Sequence, residues 1–146
     1  MLITTSSEKQ TFKLGEKIAC QLKGGEVLAL TGELGTGKTV ITKGVAKFLG
    51  IKKHITSPTF VLMKLYKIQN SKFKIQNFLH IDAYRLNSGQ DLLDIGLEDW
   101  LNRPDTVIVI EWAERVKNIL PEKTIKVNLK IGKKNNERII KIENRI

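Results

Sequence analysis

The sequence predicts an α/β protein with a single-domain P-loop NTPase fold: a mainly parallel central sheet with antiparallel edge strands and flanking helices. An apolar strand at residues 27–31 runs directly into a glycine-rich loop and then a helical pattern. A second apolar run, residues 106–110, is nearly all β-branched, which is typical of a strand buried on both faces of a parallel sheet. At 146 residues, we expect one P-loop domain spanning residues 1–146.

The glycine-rich loop has the spacing of a phosphate-binding loop, G-x-x-x-x-G-K-[ST]. Glycines allow positive φ, so the backbone N–H groups can turn toward an anion. Lys38 supplies a point charge for the β- and γ-phosphates, and the Thr39 hydroxyl can ligate Mg²⁺. A helix expected over residues 38–49 directs its positive dipole end at the phosphates. The nucleotide-binding residues predicted from this motif are Gly32, Glu33, Leu34, Gly35, Thr36, Gly37, Lys38 and Thr39.

A first helix is expected before this loop. Ser7 can cap it, and apolar periodicity extends it from residue 8 to about residue 22, before two glycines. Cys20 lies among apolar residues, so we expect a buried helix position rather than a reactive thiol. One cysteine cannot form an internal disulfide.

Beyond the P-loop helix, strands are expected over residues 60–66 and 77–82. Between them the tetrapeptide KIQN at residues 67–70 recurs at residues 74–77. We interpret the repeat as a neutral insertion that lengthens a hairpin, with a turn at residues 70–72.

Ser57 and Thr59 precede the first of these strands. P-loop hydrolases keep a γ-phosphate-sensing loop in this position. Turn chemistry around Pro58 is an equally good explanation.

The C-terminal half is expected to contain an amphipathic helix over residues 91–101, which Gly96 can split. The β-branched strand follows. Two alternating strands at residues 124–129 and 138–142 flank a turn near Gly132. They provide the antiparallel edge of the sheet.

Two acids terminate apolar strands, Asp82 and Glu111. Sites in open α/β sheets gather at the carboxyl ends of the strands, so either acid can hold Mg²⁺ while the other orients the attacking water. Spacing alone does not divide these roles. His80 shares a strand face with Asp82, and can either line the site or be a satisfied structural histidine.

The formal net charge is +10, which favours an anionic partner such as a nucleotide, RNA or an acidic protein face. The basic residues are scattered, however, and no zinc-ligand spacing or known nucleic-acid-binding signature is present. No apolar run reaches the length of a membrane span, and the N-terminal residues lack a secretory signal pattern, so we expect a cytoplasmic protein without membrane contact.

Four sequence blocks resemble the TsaE (YjeE) family of P-loop ATPases, which serve bacterial tRNA threonylcarbamoyladenosine (t⁶A) biosynthesis. The family's blocks GDLGAGKT, SPTF, H-x-D-x-YRL and IEWPE appear in order as GELGTGKT, SPTF, HIDAYRL and IEWAE. Glu33, Thr36 and Ala113 replace the usual Asp, Ala and Pro, and none of these changes removes a phosphate- or metal-binding group.

The resemblance implies specific roles for individual residues. Thr39 and Glu111 would ligate magnesium, while Asp82, with Lys38, would be catalytic and support hydrolysis by positioning water. Thr11 would lie near the base or ribose of the nucleotide, and Arg138 would approach it from the C-terminal part. Tyr84, Arg85 and Trp112 match positions associated with activity or partner contact.

The resemblance also implies a function. The chain would bind ATP with Mg²⁺ and hydrolyse it while engaged with the TsaB–TsaD complex, with low activity alone and indirect contact with tRNA. The oligomeric state stays open.

Three other functions were weighed. A GTPase-like switch should show N-K-x-D and D-x-x-G, and neither occurs. A small-molecule kinase needs an arginine-bearing lid and an acceptor pocket, for which 146 residues leave little room. A basic RNA-binding adaptor with a decayed P-loop conflicts with the intact Gly37, Lys38 and Thr39.

Overall fold

The computed structural model describes residues 1–56, 62–69 and 74–144. Its strands are β1 (Leu2–Thr5), β2 (Val27–Thr31), β3 (Met63–Lys67), β4 (Asn77–Asp82), β5 (Thr106–Glu111), β6 (Ile125–Ile131) and β7 (Arg138–Glu143). Its helices are α1 (Glu8–Ala19), α2 (Lys38–Phe48) and α3 (Gln90–Asp94), with 3-10 helices at Leu97–Asp99 and Ala113–Ile119. The loop predicted around Ser57 and Thr59 and the turn predicted at 70–72 lie outside the described residues.

All seven strands join one sheet in the order β1-β7-β6-β2-β5-β4-β3. The four central strands, β6, β2, β5 and β4, are mutually parallel. Strands β1, β7 and β3 pair antiparallel at the two sides. The predicted fold class is therefore confirmed, and the β3–β4 pairing confirms the predicted hairpin.

Alternation along the central strands divides the core between the two faces of the sheet. On β2, Leu28 and Leu30 join the cluster beneath α1 and α2, whereas Val27 and Ala29 join the cluster on the opposite face. Strand β5 alternates in the same way. Since both faces are covered, its apolar run is continuous, as in other buried parallel strands.

Helices α1 and α2 pack with their backbones in close contact. A Cβ atom on Gly15 would lie 2.4 Å from the Ile41 carbonyl oxygen, and one on Gly44 would lie 2.2 Å from the Phe12 carbonyl oxygen. Only glycine fits at this crossing. The crossing fixes α2, whose first turn carries Lys38 and Thr39.

Several local predictions need correction. Ser7 caps α1 as predicted, but the helix ends at Ala19, and Cys20 at its C-cap is exposed rather than buried. Cys20 lies on the solvent side of the terminal turn. The apolar residues around it in sequence did not indicate this. Strand β1 and the 3-10 helix Ala113–Ile119 were not predicted.

The helix predicted over residues 91–101 is broken. Gly96 adopts φ +93° and separates α3 from the 3-10 helix Leu97–Asp99, so the predicted split occurs. Leu92 and Leu97 both remain fully buried. The apolar pattern therefore marks the core-facing residues correctly, although a continuous helix does not form.

Candidate nucleotide and metal site

The phosphate-binding loop connects the carboxyl end of β2 to the first turn of α2. Gly32, Gly35 and Gly37 have φ values of +139°, +80° and +102°, which glycine adopts without strain. The Thr36 hydroxyl donates to the Glu33 carbonyl oxygen at 2.8 Å and braces the turn from inside. The sequence therefore forms the backbone curvature that a phosphate cradle requires.

A hollow of about 390 Å³ lies beside this loop. Its lining combines P-loop residues with the ends of β4 and β5: Leu34, Gly35, Gly37, Lys38, Thr39, Val40, Asp82, Tyr84, Glu111 and Trp112. Five of the eight residues predicted from the P-loop and both strand-end acids thus meet at one place.

Lys38 is almost fully buried against its own loop. Its ammonium donates to the carbonyl oxygens of Gly32 and Glu33, the latter at 2.9 Å, and lies 3.8 Å from the centroid of the Trp112 ring. Burial disfavours the charged form and lowers the pKa of Lys38 below its ordinary value, although nearby carboxylates oppose this shift. The motif assigns the Lys38 ammonium to phosphates. In this structure the ammonium contacts carbonyl oxygens and an aromatic ring face instead.

Glu111, at the end of β5, is 2% exposed and bonded on both carboxylate oxygens. Thr39 donates to Oε2 at 2.8 Å. Thr42 donates to Oε1 at 3.0 Å, and His80 Nε2 lies 2.8 Å from the same oxygen. Burial opposes ionisation, but these three contacts outweigh it and hold the pKa of Glu111 below its ordinary value. These polar contacts therefore stabilise the ionised form of the buried carboxyl group.

Asp82 lies directly beside Glu111, because these two residues are register partners of the parallel strands β4 and β5. Asp82 is only partly buried, and its Oδ1 accepts a hydrogen bond from the Tyr84 backbone N–H at 2.9 Å. The two strand-end acids therefore differ in environment: Glu111 is buried and bonded on both oxygens, whereas Asp82 is partly exposed at the hollow.

An aromatic pair borders the hollow. The Tyr84 and Trp112 ring centroids are 4.8 Å apart, and the Arg115 guanidinium lies 5.4 Å from the Tyr84 centroid. Since the Lys38 ammonium lies over the Trp112 ring, the four groups follow one another in the order cation, ring, ring, cation. Trp112 adopts φ +59°, which is uncommon for a bulky residue and is associated with functional sites.

Thr11 and Arg138 lie around the outside of the loop. The Thr11 hydroxyl contacts Thr5 Oγ1 at 2.7 Å, and its methyl group lies against Gly37. Arg138 donates from Nη2 to the Gly35 carbonyl oxygen at 3.0 Å. Both residues are therefore beside the P-loop, with their polar groups engaged within the chain. Their approach to a bound nucleotide stays a prediction.

The site also contains residues that the sequence did not assign. Thr42 lies one turn after Thr39 on α2 and shares its face, a spacing that could have identified it. The contact of His80 with Glu111 crosses two strands and depends on their register. The contact of Lys38 with Trp112 likewise depends on the fold.

The oxygen atoms suit a magnesium ion. Mg²⁺ takes few protein ligands and fills its shell with water and substrate phosphates, and the Thr39 hydroxyl and Glu111 Oε2 are such ligands on one side of the hollow. Among the described residues, no group of three or more His, Cys, Asp or Glu side chains could hold a metal without a substrate. These residues fit a cation that arrives with a nucleotide.

A second hollow, of about 250 Å³, lies between α1 and the β1 side of the sheet. Its lining is mainly apolar, with Lys17 as the charged residue. It lacks a glycine-rich loop and carboxylates comparable to those of the P-loop hollow. In the described part of the chain, no helix has the length and apolar character that a membrane span requires.

Comparisons with known proteins agree with this geometry. A family profile described as "Threonylcarbamoyl adenosine biosynthesis protein TsaE" matches residues 5–140. A relative from Rickettsia typhi, named tRNA threonylcarbamoyladenosine biosynthesis protein TsaE, is 38% identical over 141 residues, covering 96% of this chain and 92% of that protein. A protein of the same name from Treponema pallidum is 38% identical over 131 residues, covering 90% and 92%. The crystal structure of Bacillus subtilis YdiB superimposes with a TM-score of 0.78 at 28% identity, covering 97% of this chain and 83% of that one.

Proposed function

This chain belongs to the TsaE family of threonylcarbamoyladenosine biosynthesis proteins, and on that premise we propose that it binds Mg²⁺–ATP and hydrolyses it in the service of tRNA t⁶A modification. Residues 1–146 would act as one P-loop ATPase domain in the cytoplasm, where this modification takes place. Intrinsic turnover would be low, and the TsaB–TsaD complex would be the partner that raises it. Contact with tRNA would be indirect.

One observation carries the proposal. A buried, ionised carboxylate at the end of β5 contacts the hydroxyl of the P-loop threonine at 2.8 Å, although 72 residues separate the two in sequence. A structural glycine turn has no reason to meet such a group. A site for a phosphate-bound cation requires it.

The residues would divide the work as follows. Backbone N–H groups of residues 32–39 and the Lys38 ammonium would bind the phosphates, so Lys38 would exchange its carbonyl partners for phosphate oxygens. Magnesium, held by Thr39 and Glu111, would neutralise charge on the phosphates. Asp82, the acid that faces the hollow, would orient the attacking water, while Thr11 and Arg138 would hold the loop beside the nucleotide.

The proposal is tested by phosphate release from ATP and from GTP, with and without magnesium, and with and without purified TsaB and TsaD. We expect magnesium-dependent release from ATP that rises when both partners are present. Asp82→Asn should lower turnover by about 100-fold or more while nucleotide affinity stays near the wild-type value. Failure of the wild-type protein to bind ATP under all these conditions would overturn the proposal.

A further inference from the structure

His80 lies inside the sheet, next to the candidate metal site. It is fully buried on β4, two residues before Asp82, and pairs in register with Val109 of β5. Since Glu111 is two residues further along β5, His80 reaches it along the diagonal of the strand pair. Diagonal neighbours on one face of a sheet are within reach of long or aromatic side chains.

The contacts of Glu111 are different at its two oxygens. His80 Nε2 and the Thr42 hydroxyl converge on Oε1, at 2.8 and 3.0 Å. Oε2 is bonded by Thr39, at the mouth of the P-loop. A carboxylate only accepts hydrogen bonds, so Nε2 carries the hydrogen in this contact. The arrangement holds one oxygen inward and directs the other toward the position of the cation.

The second ring nitrogen of His80 shows that this contact is the main polar role of the side chain. Nδ1 is buried and has no hydrogen-bonding partner in the described part of the chain. Buried polar atoms are normally paired, so a histidine retained only for packing would be a poor choice at this position. Within the described residues, the one polar contact of the imidazole is with Glu111.

We propose that His80 is a positioning residue: it fixes the rotation of the Glu111 carboxylate so that Oε2 is presented, beside Thr39, to the divalent cation. The inference rests on the proposed function, since it assigns His80 to the same metal site. Residues that orient metal ligands through a hydrogen bond commonly contribute 10- to 100-fold to metal affinity. His80 would do so without touching the metal or the nucleotide.

The test is Mn²⁺ binding to the ADP-bound protein, measured by the electron paramagnetic resonance of free Mn²⁺, for wild type, His80→Leu and His80→Gln. His80→Leu should weaken Mn²⁺ binding by about 10- to 100-fold. His80→Gln should recover most of the loss, because its amide N–H can donate to Oε1. ADP affinity measured in EDTA should change by less than about twofold in both variants, since the P-loop is untouched.

A double-mutant cycle separates positioning from a general structural role. In a Glu111→Gln background, His80→Leu should have little further effect on Mn²⁺ affinity, because the group that it positions is already altered. An undiminished effect in that background, or unchanged Mn²⁺ affinity in His80→Leu, would overturn the inference. If His80→Leu does not fold, His80→Phe, which keeps a ring but has no donor, replaces it beside His80→Gln. Weaker Mn²⁺ binding in His80→Phe than in His80→Gln supports donation from this position, and equal Mn²⁺ affinity in the two variants contradicts it.

These outcomes are separate from failure of the proposed function. A wild-type protein that binds neither nucleotide nor Mn²⁺–ADP would remove the proposed function itself. A wild-type protein that binds both, with variants that bind equally well, would remove only the role of His80.

Discussion

The two halves of the site are built in opposite ways. The phosphate half is one continuous segment, residues 32–39, in which Lys38 donates to carbonyl oxygens of its own loop. The metal half is assembled from three elements, with Glu111 from β5, His80 from β4, and Thr42 together with the P-loop residue Thr39 from α2. In the proposed function, the first half would exchange its internal contacts when phosphates bind. The second half is already in place.

This difference indicates which half of the site can couple ligand binding to a conformational change. Moving Lys38 releases its contacts with two carbonyl oxygens and with the Trp112 ring, which makes a tilted contact with Tyr84. A ligand at the loop therefore acts on the rim of the hollow. Glu111, in contrast, is buried and bonded on both oxygens, so that it offers a fixed point against which the loop can move.

Among the proposed variants, we expect Lys38→Ala to have the largest effect, because it tests the phosphate half of the site. It removes the charge for the β- and γ-phosphates, and we expect ATP hydrolysis to fall by at least about 100-fold, on the scale of losing one transition-state donor. Lys47→Ala, at the exposed end of the same helix, should hydrolyse ATP normally. Phosphate release measures both variants, and wild-type turnover in Lys38→Ala would refute the phosphate half.

Glu111→Ala tests the metal half against a matched acid. Its magnesium requirement for ATP hydrolysis should rise by about 10-fold or more, because the cation loses a carboxylate ligand. Glu33→Ala removes an exposed acid from the P-loop itself and should change the magnesium requirement far less. A magnesium titration of hydrolysis compares them, and equal effects would contradict the metal assignment.

Gly44→Ala tests whether both halves depend on the position of α2. A Cβ atom there would lie 2.2 Å from the Phe12 carbonyl oxygen, so the helices must separate. We expect a loss of about 1–3 kcal/mol in the free energy of unfolding, measured by urea denaturation. Lys47→Ala is the surface control and should change it by less than about 0.5 kcal/mol. Unaltered stability in Gly44→Ala would show that the crossing can relax.

The smallest effect concerns pH. Because the pKa of Glu111 is lowered in the folded protein, its ionised form stabilises the fold above the unfolded-state value of about 4.3, and this contribution declines as the pH falls through the folded-state value. Urea unfolding in EDTA should therefore show a nearly constant advantage of wild type over Glu111→Gln from pH 7 to about pH 5, and an advantage that shrinks as the pH is lowered further. A stability advantage of wild type that grows as the pH falls would contradict this prediction.

The features of this protein that depend on consecutive residues could be predicted from the sequence alone. The P-loop was predictable because its chemistry is a property of consecutive backbone positions, and the glycines at 32, 35 and 37 adopt the positive φ that the motif requires. The central strands were predictable from continuous apolar runs. Their carboxyl ends identified Asp82 and Glu111, since parallel strands place such residues at one edge of the sheet.

Only the tertiary structure decided the contacts between distant segments. The diagonal contact of His80 with Glu111, the meeting of Gly15 with Gly44, and the donation from Arg138 to the P-loop all depend on strand register or helix crossing. Local periodicity says which face a side chain occupies, but not what it meets there, because that follows from how segments many residues apart are brought together. The exposure of Cys20 and the different burial of Asp82 and Glu111 belong to the same class.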